Sequence, residues 1–215
     1  MKKIGIMGGT FDPIHSGHLM LAKQAYEEYD LDCVWFMPSR QPPHKKDHEI
    51  TSPDRRFEMI KLAVSDTPFF ACSDFELNRS GGNTYTADTL LLLSEKYPDT
   101  SFYFIVGADS VFNIEKWYHP EVVMRHAVLL AADRSCGHNS EALDAQIEHL
   151  TKKYDARICR LHSKRLDVSS EHLREMIRRG NDISPFLPES VSQYIKQNHL
   201  YESYKTEDET DSKKA

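Results

Sequence analysis

The stretch Gly8–His18, GGTFDPIHSGH, decides how this chain of 215 residues is read. It closes an apolar run (Ile4, Ile6, Met7) and opens a helical pattern (Leu19, Met20, Ala22, Ala25, Tyr26). Gly8 and Gly9, directly after a strand, let backbone N–H groups come close to a ligand, and a helix starting just beyond aims its positive dipole end at the same point. Such a corner suits phosphate. His15 and His18 lie one turn apart if the helix begins near Ser16, so both imidazoles face that corner. The segment lacks the Lys-Ser/Thr ending of a P-loop, and its glycines do not keep the dinucleotide spacing G-x-G-x-x-G. Taken singly, a glycine pair is a turn and a helix-face histidine is surface or core; the order of the whole stretch points to chemistry.

Outward from this stretch, the length suits one sizeable core, so residues 1–201 are expected to form a single domain. A composition of 40% hydrophobic and 28% charged residues is that of an ordinary soluble domain. No apolar run approaches the roughly 18 residues of a membrane span, and the MKKIGIMGG start reads as a first strand rather than a secretory signal, so a cytoplasmic location without membrane contact is expected. A net charge of −6 argues against broad nucleic-acid binding, which needs clustered Lys and Arg. The four cysteines (Cys33, Cys72, Cys136, Cys159) show no metal-site spacing and read as buried thiols. His44 and His48 sit in a Pro- and Lys-rich loop without helical pattern, and no metal ligand is assigned.

Strand-like runs recur at Lys3–Met7, Cys33–Met37, Phe69–Cys72, Phe102–Val106, Ala127–Ala131 and Arg157–Leu161. Helical patterns fall between them, at Gly17–Tyr29, Ser52–Ser65, Thr86–Tyr97, a short stretch near Pro120–Arg125, and Glu141–Tyr154. This alternation predicts an α/β fold: a Rossmann-like, doubly wound parallel sheet with helices on both faces and ligands beyond the carboxyl ends of the strands. A C-terminal helical segment follows, with Ser169–Arg179 ending at Gly180 and a second helix over Pro188–Asn198. Residues 202–215 are charged and nearly free of aliphatics, and read as a disordered tail.

Leu166–Arg174, LDVSSEHLR, is a second anion-binding candidate: hydroxyls at a helix start and an arginine one turn on. A capped amphipathic helix with a surface arginine would look the same. Together the two stretches resemble the nucleotidyltransferase superfamily, whose T/G-F-D-x-x-H-x-G-H signature is carried by Thr10, Phe11, Asp12, His15, Gly17 and His18. Its I-S-S-T-x-I-R segment is carried by Val168, Ser169, Ser170, Glu171, Leu173 and Arg174. Glu171 departs from the small hydroxyl residue usual there. Four further stretches resemble the bacterial nicotinate-nucleotide adenylyltransferase branch: PSRQPPHK (Pro38–Lys45), GNTYTADTL (Gly82–Leu90), FIVGADS (Phe104–Ser110) and KWYHPE (Lys116–Glu121).

That resemblance implies transfer of the adenylyl group of ATP to nicotinic acid mononucleotide, giving nicotinic acid adenine dinucleotide and pyrophosphate. It implies His15, His18, Lys45 and Arg174 as the catalytic set. Gly8, Gly9, Thr10, Phe11, Gly107, Asp109, Ser169 and Ser170 join them around ATP. Thr10, Lys45, Thr84, Tyr85, Thr86, Trp117 and Tyr118 surround the mononucleotide. The residues bear physical readings of their own. Lys45 is a mobile point charge in a loop; Thr84 and Thr86 flank a helix start able to receive a carboxylate; Trp117 offers a ring to a pyridine face. Asp109 can accept from ribose hydroxyls, and Asp12 is expected to brace its loop by accepting nearby N–H groups. Magnesium is expected on ATP oxygens and water. A homo-oligomer is left open. The competing readings are a relative whose acceptor is nicotinamide mononucleotide or phosphopantetheine, a fragment of a class I aminoacyl-tRNA synthetase, and a nucleotide sensor without turnover.

Overall fold

The computed structural model describes residues 1–40, 50–79, 84–133, 140–162 and 168–202. Its first half runs β1 (Lys2–Gly9), α1 (Ser16–Glu28), β2 (Cys33–Pro38), α2 (Pro53–Val64), β3 (Phe70–Cys72) and α3 (Thr86–Lys96). The second half runs β4 (Thr100–Gly107), α4 (Ala108–Asn113), a 3₁₀ turn (Ile114–Lys116), α5 (Pro120–His126), β5 (Val128–Asp133), α6 (Ser140–Tyr154) and β6 (Ile158–His162). It closes with α7 (Ser170–Arg178), a second 3₁₀ turn (Ser184–Phe186) and α8 (Glu189–Gln197).

The six strands are all parallel, in the order 3-2-1-4-5-6. Each crossover needs a helix, and the order places them on both faces, as the alternation predicts. Within β1 the alternation is visible residue by residue. Ile4 and Ile6 pack with Leu90, Leu93 and Val111 under α3 and α4, while Met7 packs with Leu21, Ala22 and Ile60 under α1 and α2. Gly5 between them is small because a Cβ there would stand 2.9 Å from Leu31 Cδ1 and 3.0 Å from Val34 Cγ2. β1 and β4 lie side by side, with Met7 opposite Ile105, and the chain leaves them toward opposite sides of the sheet. The carboxyl ends of these two strands therefore form the switch point where an open parallel sheet receives its ligand.

Gly180 ends α7 in the left-handed region (φ +73°), and its N–H and that of Asn181 bond back to Ile177 and Met176. The segment after β4 differs from the sequence expectation. Ala108–Asn113 is helical, its turn too short to show a full apolar stripe, with Val111 and Ile114 as buried contacts. The described cysteines, Cys33, Cys72 and Cys159, are free and half-buried rather than buried. Burial pushes each thiol up, that of Cys72 to about 12, so none is a nucleophile at neutral pH. Lys45, Cys136, His44, His48 and the 203–215 tail lie outside the described residues. No helix among the described residues is long and apolar enough to cross a membrane.

Candidate functional site

Both glycines that end β1 are set by aromatic rings. A Cβ on Gly8 would come within 3.1 Å of the Phe104 ring, and one on Gly9 within 3.3 Å of Phe11. Phe11 is buried with its backbone in the left-handed region (φ +52°), a costly conformation for a residue with a Cβ. The surrounding contacts impose it. Its ring packs against Phe36 and edge-on to His18, with centroids 5.0 Å apart in the second pair.

α1 starts at Ser16, so His15 is its N-cap and His18 its third residue. The two imidazoles stack with centroids 3.7 Å apart, and the His15 N–H donates to His18 Nδ1 at 3.3 Å. With Nδ1 accepting, the proton of a neutral His18 ring sits on Nε2. Gly17 allows this stack. A Cβ there would lie 3.0 Å from His15 Nδ1 and 3.1 Å from Val168 Cγ1. Gly→Ala inside a helix ordinarily gains about 0.5–1 kcal/mol. Here Gly17→Ala is expected to lower turnover about tenfold with little loss of thermal stability, because displaced imidazoles cost catalysis more than folding. Steady-state kinetics beside a melting curve check it; unchanged turnover would mean that the ring positions are not critical.

The loop between β1 and α1 is held from outside by every element it meets. Arg174 Nη1 donates to the Asp12 carbonyl at 2.7 Å, and the Ser170 hydroxyl to the Pro13 carbonyl at 2.9 Å. The buried Arg56 donates to the Thr10 carbonyl at 2.7 Å. The Asp12 carboxylate accepts the Tyr201 hydroxyl at 2.7 Å and, more loosely, the Thr51 N–H at 3.4 Å. Asp12 braces the loop through distant Tyr201 and Thr51 rather than through the nearby N–H groups expected, and burial beside this carboxylate pushes the Tyr201 phenol far up. The second sequence stretch lies against the first: α7 carries Arg174 and Ser170 onto the histidine loop. Ser169 is the N-cap of α7, its hydroxyl accepting from His172 N–H at 3.2 Å. Both serine side chains are therefore engaged in holding structure.

On the other side of Gly8–Thr10 opens a cavity of about 640 Å³, lined also by Thr84, Tyr85, Thr86, Phe104, Lys116, Trp117 and Tyr118. The Trp117 and Phe104 rings meet edge to face at 6.5 Å, and Tyr85 and Tyr118 stack at 4.5 Å. Thr84 is buried just before the start of α3. Behind it Glu76 accepts the Thr89 hydroxyl at 2.8 Å, and Arg79 reaches the same hydroxyl at 3.0 Å. Burial pushes the Glu76 carboxyl up, partly offset by hydrogen bonds from Thr89 and Thr84 and by the charge of Arg79. Gly107 and the exposed Asp109 open α4 at the end of β4, and a Cβ on Gly107 would meet nothing within 4 Å.

The structure therefore brings together His15, His18, Ser170 and Arg174 around one loop, and Thr84, Tyr85, Thr86, Trp117 and Tyr118 around one cavity, with Gly8–Thr10 common to both. Sequence reasoning missed Arg56, Glu76, Lys116 and Tyr201. Only Arg56 left a signal: it shares the spacing of Met59, Ile60 and Val64, so it falls on the buried face of α2. Among the described residues no three His, Cys, Asp or Glu side chains could hold a metal ion.

Residues 6–184 match the family model of cytidylyltransferase-like proteins. A "probable nicotinate-nucleotide adenylyltransferase" of Lachnoclostridium phytofermentans is 49% identical over 201 residues, covering 94% of this chain and all of the relative. A protein of the same description from Bacillus cytotoxicus is 40% identical, with coverage of 94% and 100%. Among solved structures, a Plasmodium falciparum nicotinic acid mononucleotide adenylyltransferase complexed with NaAD superposes with a TM-score of 0.76 at 21% identity, over 94% of this chain and 98% of that one. That last likeness concerns the fold. The sequence relatives span the whole of the loop, cavity and α7, and on their strength the chain belongs to the nicotinate-nucleotide adenylyltransferases of the cytidylyltransferase-like family.

Proposed function

We propose that a nonbridging oxygen of the phosphate monoester of nicotinic acid mononucleotide attacks the α-phosphorus of ATP on this chain. The bond to the β-phosphate bridging oxygen breaks in line, and pyrophosphate leaves. The observation that carries this reading is that one loop, Gly8–His18, forms a wall of the aromatic cavity and also bears the histidine pair at the switch point. An acceptor in the cavity and a triphosphate on the loop then meet at Gly9 and Thr10. The second pKa of a phosphate monoester is about 6, so the nucleophile is already ionised at neutral pH and no general base is needed. What remains is to hold two anions together and stabilise charge on the transferring group.

His18, presenting Nε2–H, is the donor nearest the α-phosphate, with His15 beside it. Arg174 and Lys45 hold the β- and γ-phosphates, Lys45 on the strength of the family resemblance. Backbone N–H groups of Gly8–Phe11 and of the start of α7, with Ser169 and Ser170 shaping the latter, complete the cradle. Gly107 leaves space for the ribose, whose hydroxyls Asp109 accepts. In the cavity Trp117 lies against the pyridine ring, while the α3 start at Thr84–Thr86 and the Tyr85–Tyr118 stack receive the carboxylate. The buried Asp12 has both carboxylate oxygens engaged, so the residues fit a magnesium ion that arrives on ATP, bound by phosphate oxygens and water. Such an ion neutralises charge on the β- and γ-phosphates.

Pyrophosphate release from ATP, measured with nicotinic acid mononucleotide, nicotinamide mononucleotide and phosphopantetheine in parallel, tests the reading. Turnover is expected with the nicotinate acceptor. Turnover only with another acceptor would reassign the cavity, and none with any would leave a nucleotide-binding sensor. In the same assay Trp117→Ala is expected to raise KM for the mononucleotide about tenfold, equivalent to ~1.4 kcal/mol, and KM for ATP far less. Equal effects on both would make Trp117 a structural residue.

A further inference from the structure

Arg56 is 1% exposed, and its guanidinium faces backbone carbonyls. Nε donates to Thr51 O at 2.9 Å, Nη1 to Thr10 O at 2.7 Å, and Nη2 to Ser39 O at 2.8 Å and to Arg40 O at 3.4 Å. Burial disfavours its charged form, and the Asp12 carboxylate partly offsets this. Taking a cation out of water is costly, and an apolar side chain would fill a place on the inner face of α2 without that cost. A forked donor does what no apolar residue can: it fixes the chain leaving β1 and the chain leaving β2 to one rigid plane. Ser39 also closes onto Gly9, its N–H donating to the Gly9 carbonyl at 2.9 Å.

The peptide joining Thr10 to Phe11 is trans, so its C=O and N–H point in opposite directions. A guanidinium gripping the Thr10 carbonyl from behind therefore turns the Phe11 N–H toward the opposite side of the loop. Gly9, Thr10 and Ser39 all line the cavity, so the clamp acts on its wall. Phe11 sits at φ +52°, so the orientation is not one the chain adopts unaided. Arg174 grips the carbonyl two residues on, Asp12 O, from α7.

We propose that Arg56 is a positioning residue for adenylyl transfer: it touches no substrate, but by clamping the Thr10, Ser39 and Thr51 carbonyls it presets the amide cradle that receives the phosphates of ATP. This deepens the function proposed above and rests on it for the identity of the triphosphate. The test uses the full chain as parent, Arg56→Lys, Arg56→Met and Val64→Ala, the last a destabilising change on the same helix away from the loop. Calorimetry with a nonhydrolysable α,β-methylene ATP analogue reports Kd separately from the fraction of folded molecules, and pyrophosphate release reports kcat.

Both Arg56 variants are expected to bind the analogue about tenfold more weakly and to lose at least about tenfold in kcat per binding-competent molecule. Val64→Ala should keep the parental Kd at a lower melting temperature. A purely structural role would reduce the binding stoichiometry and leave Kd unmoved, which would overturn the proposal. So would restoration by Arg56→Lys to within twofold, since a single ammonium nitrogen keeps the charge but lacks the planar fork whose Nε, Nη1 and Nη2 reach separate carbonyls. If Arg56→Met does not fold, Arg56→Lys alone decides between these outcomes. Should the parent bind the analogue yet release no pyrophosphate, the adenylyl-transfer reading fails, and the shift in Kd still judges Arg56.

Discussion

His18→Ala is expected to lower kcat by about 10²- to 10³-fold, the range typical of removing one donor aimed at a developing charge. The His15 N–H donates to Nδ1 of His18, so the ring's proton is carried on Nε2. Alanine removes the donor, and with it the ring acceptor of the His15 N–H, but keeps the backbone hydrogen bond from the His18 N–H to the His15 carbonyl at 2.9 Å that starts α1. KM for ATP should change by only a few-fold, because the interaction strengthens as charge develops on the transferring phosphorus. Kinetics under saturating ATP, with a melting curve as control, make the comparison. Near-parental turnover in the variant would remove His18 from the transition state.

Arg174→Ala should reduce kcat/KM for ATP by about 10²-fold and stability by about 1–3 kcal/mol. The stability loss comes from the Asp12 carbonyl, left buried without the 2.7 Å donor that Arg174 supplies. The kinetic loss is larger than a brace alone explains if the same guanidinium also meets phosphate. Denaturant unfolding and steady-state kinetics on one preparation separate the two. A variant less stable yet kinetically normal below its melting temperature would confine Arg174 to bracing the loop. Arg174→Lys sharpens the comparison, because it keeps the charge near the phosphates and loses the planar fork.

The sheet order was legible because each strand is a short apolar run followed by a helical period, so that the six strands lie within about a residue or two of their sequence limits. The histidine corner and α7 were legible because helix starts announce themselves through caps: Ser169 before Ser170–Arg178, and the Gly17-His18 pair just after His15. What joins the two was not. No local pattern tells that Ser170 and Arg174 bond the carbonyls of Pro13 and Asp12 some 160 residues away, a separation of 157 and 162 positions. Arg56 shows the reverse case. Its helical spacing places it inward, but a charged residue on an inner face is ordinarily read as a helix edge, and only the carbonyls around it explain its burial. Glu76 left no signal, because its surroundings are the side chains of Thr89, Thr84 and Arg79 folded back from beyond it.

The Tyr201 hydroxyl reaches Asp12 across 189 positions of sequence. During vectorial synthesis the loop leaves the ribosome well before Tyr201, so its carboxylate gains this neighbour only after the strands β2–β6 have been made. A corner made before most of the sheet is thus braced by a residue made after all of it, so nascent chains halted short of Tyr201 can assemble the sheet while Asp12 still lacks its phenol.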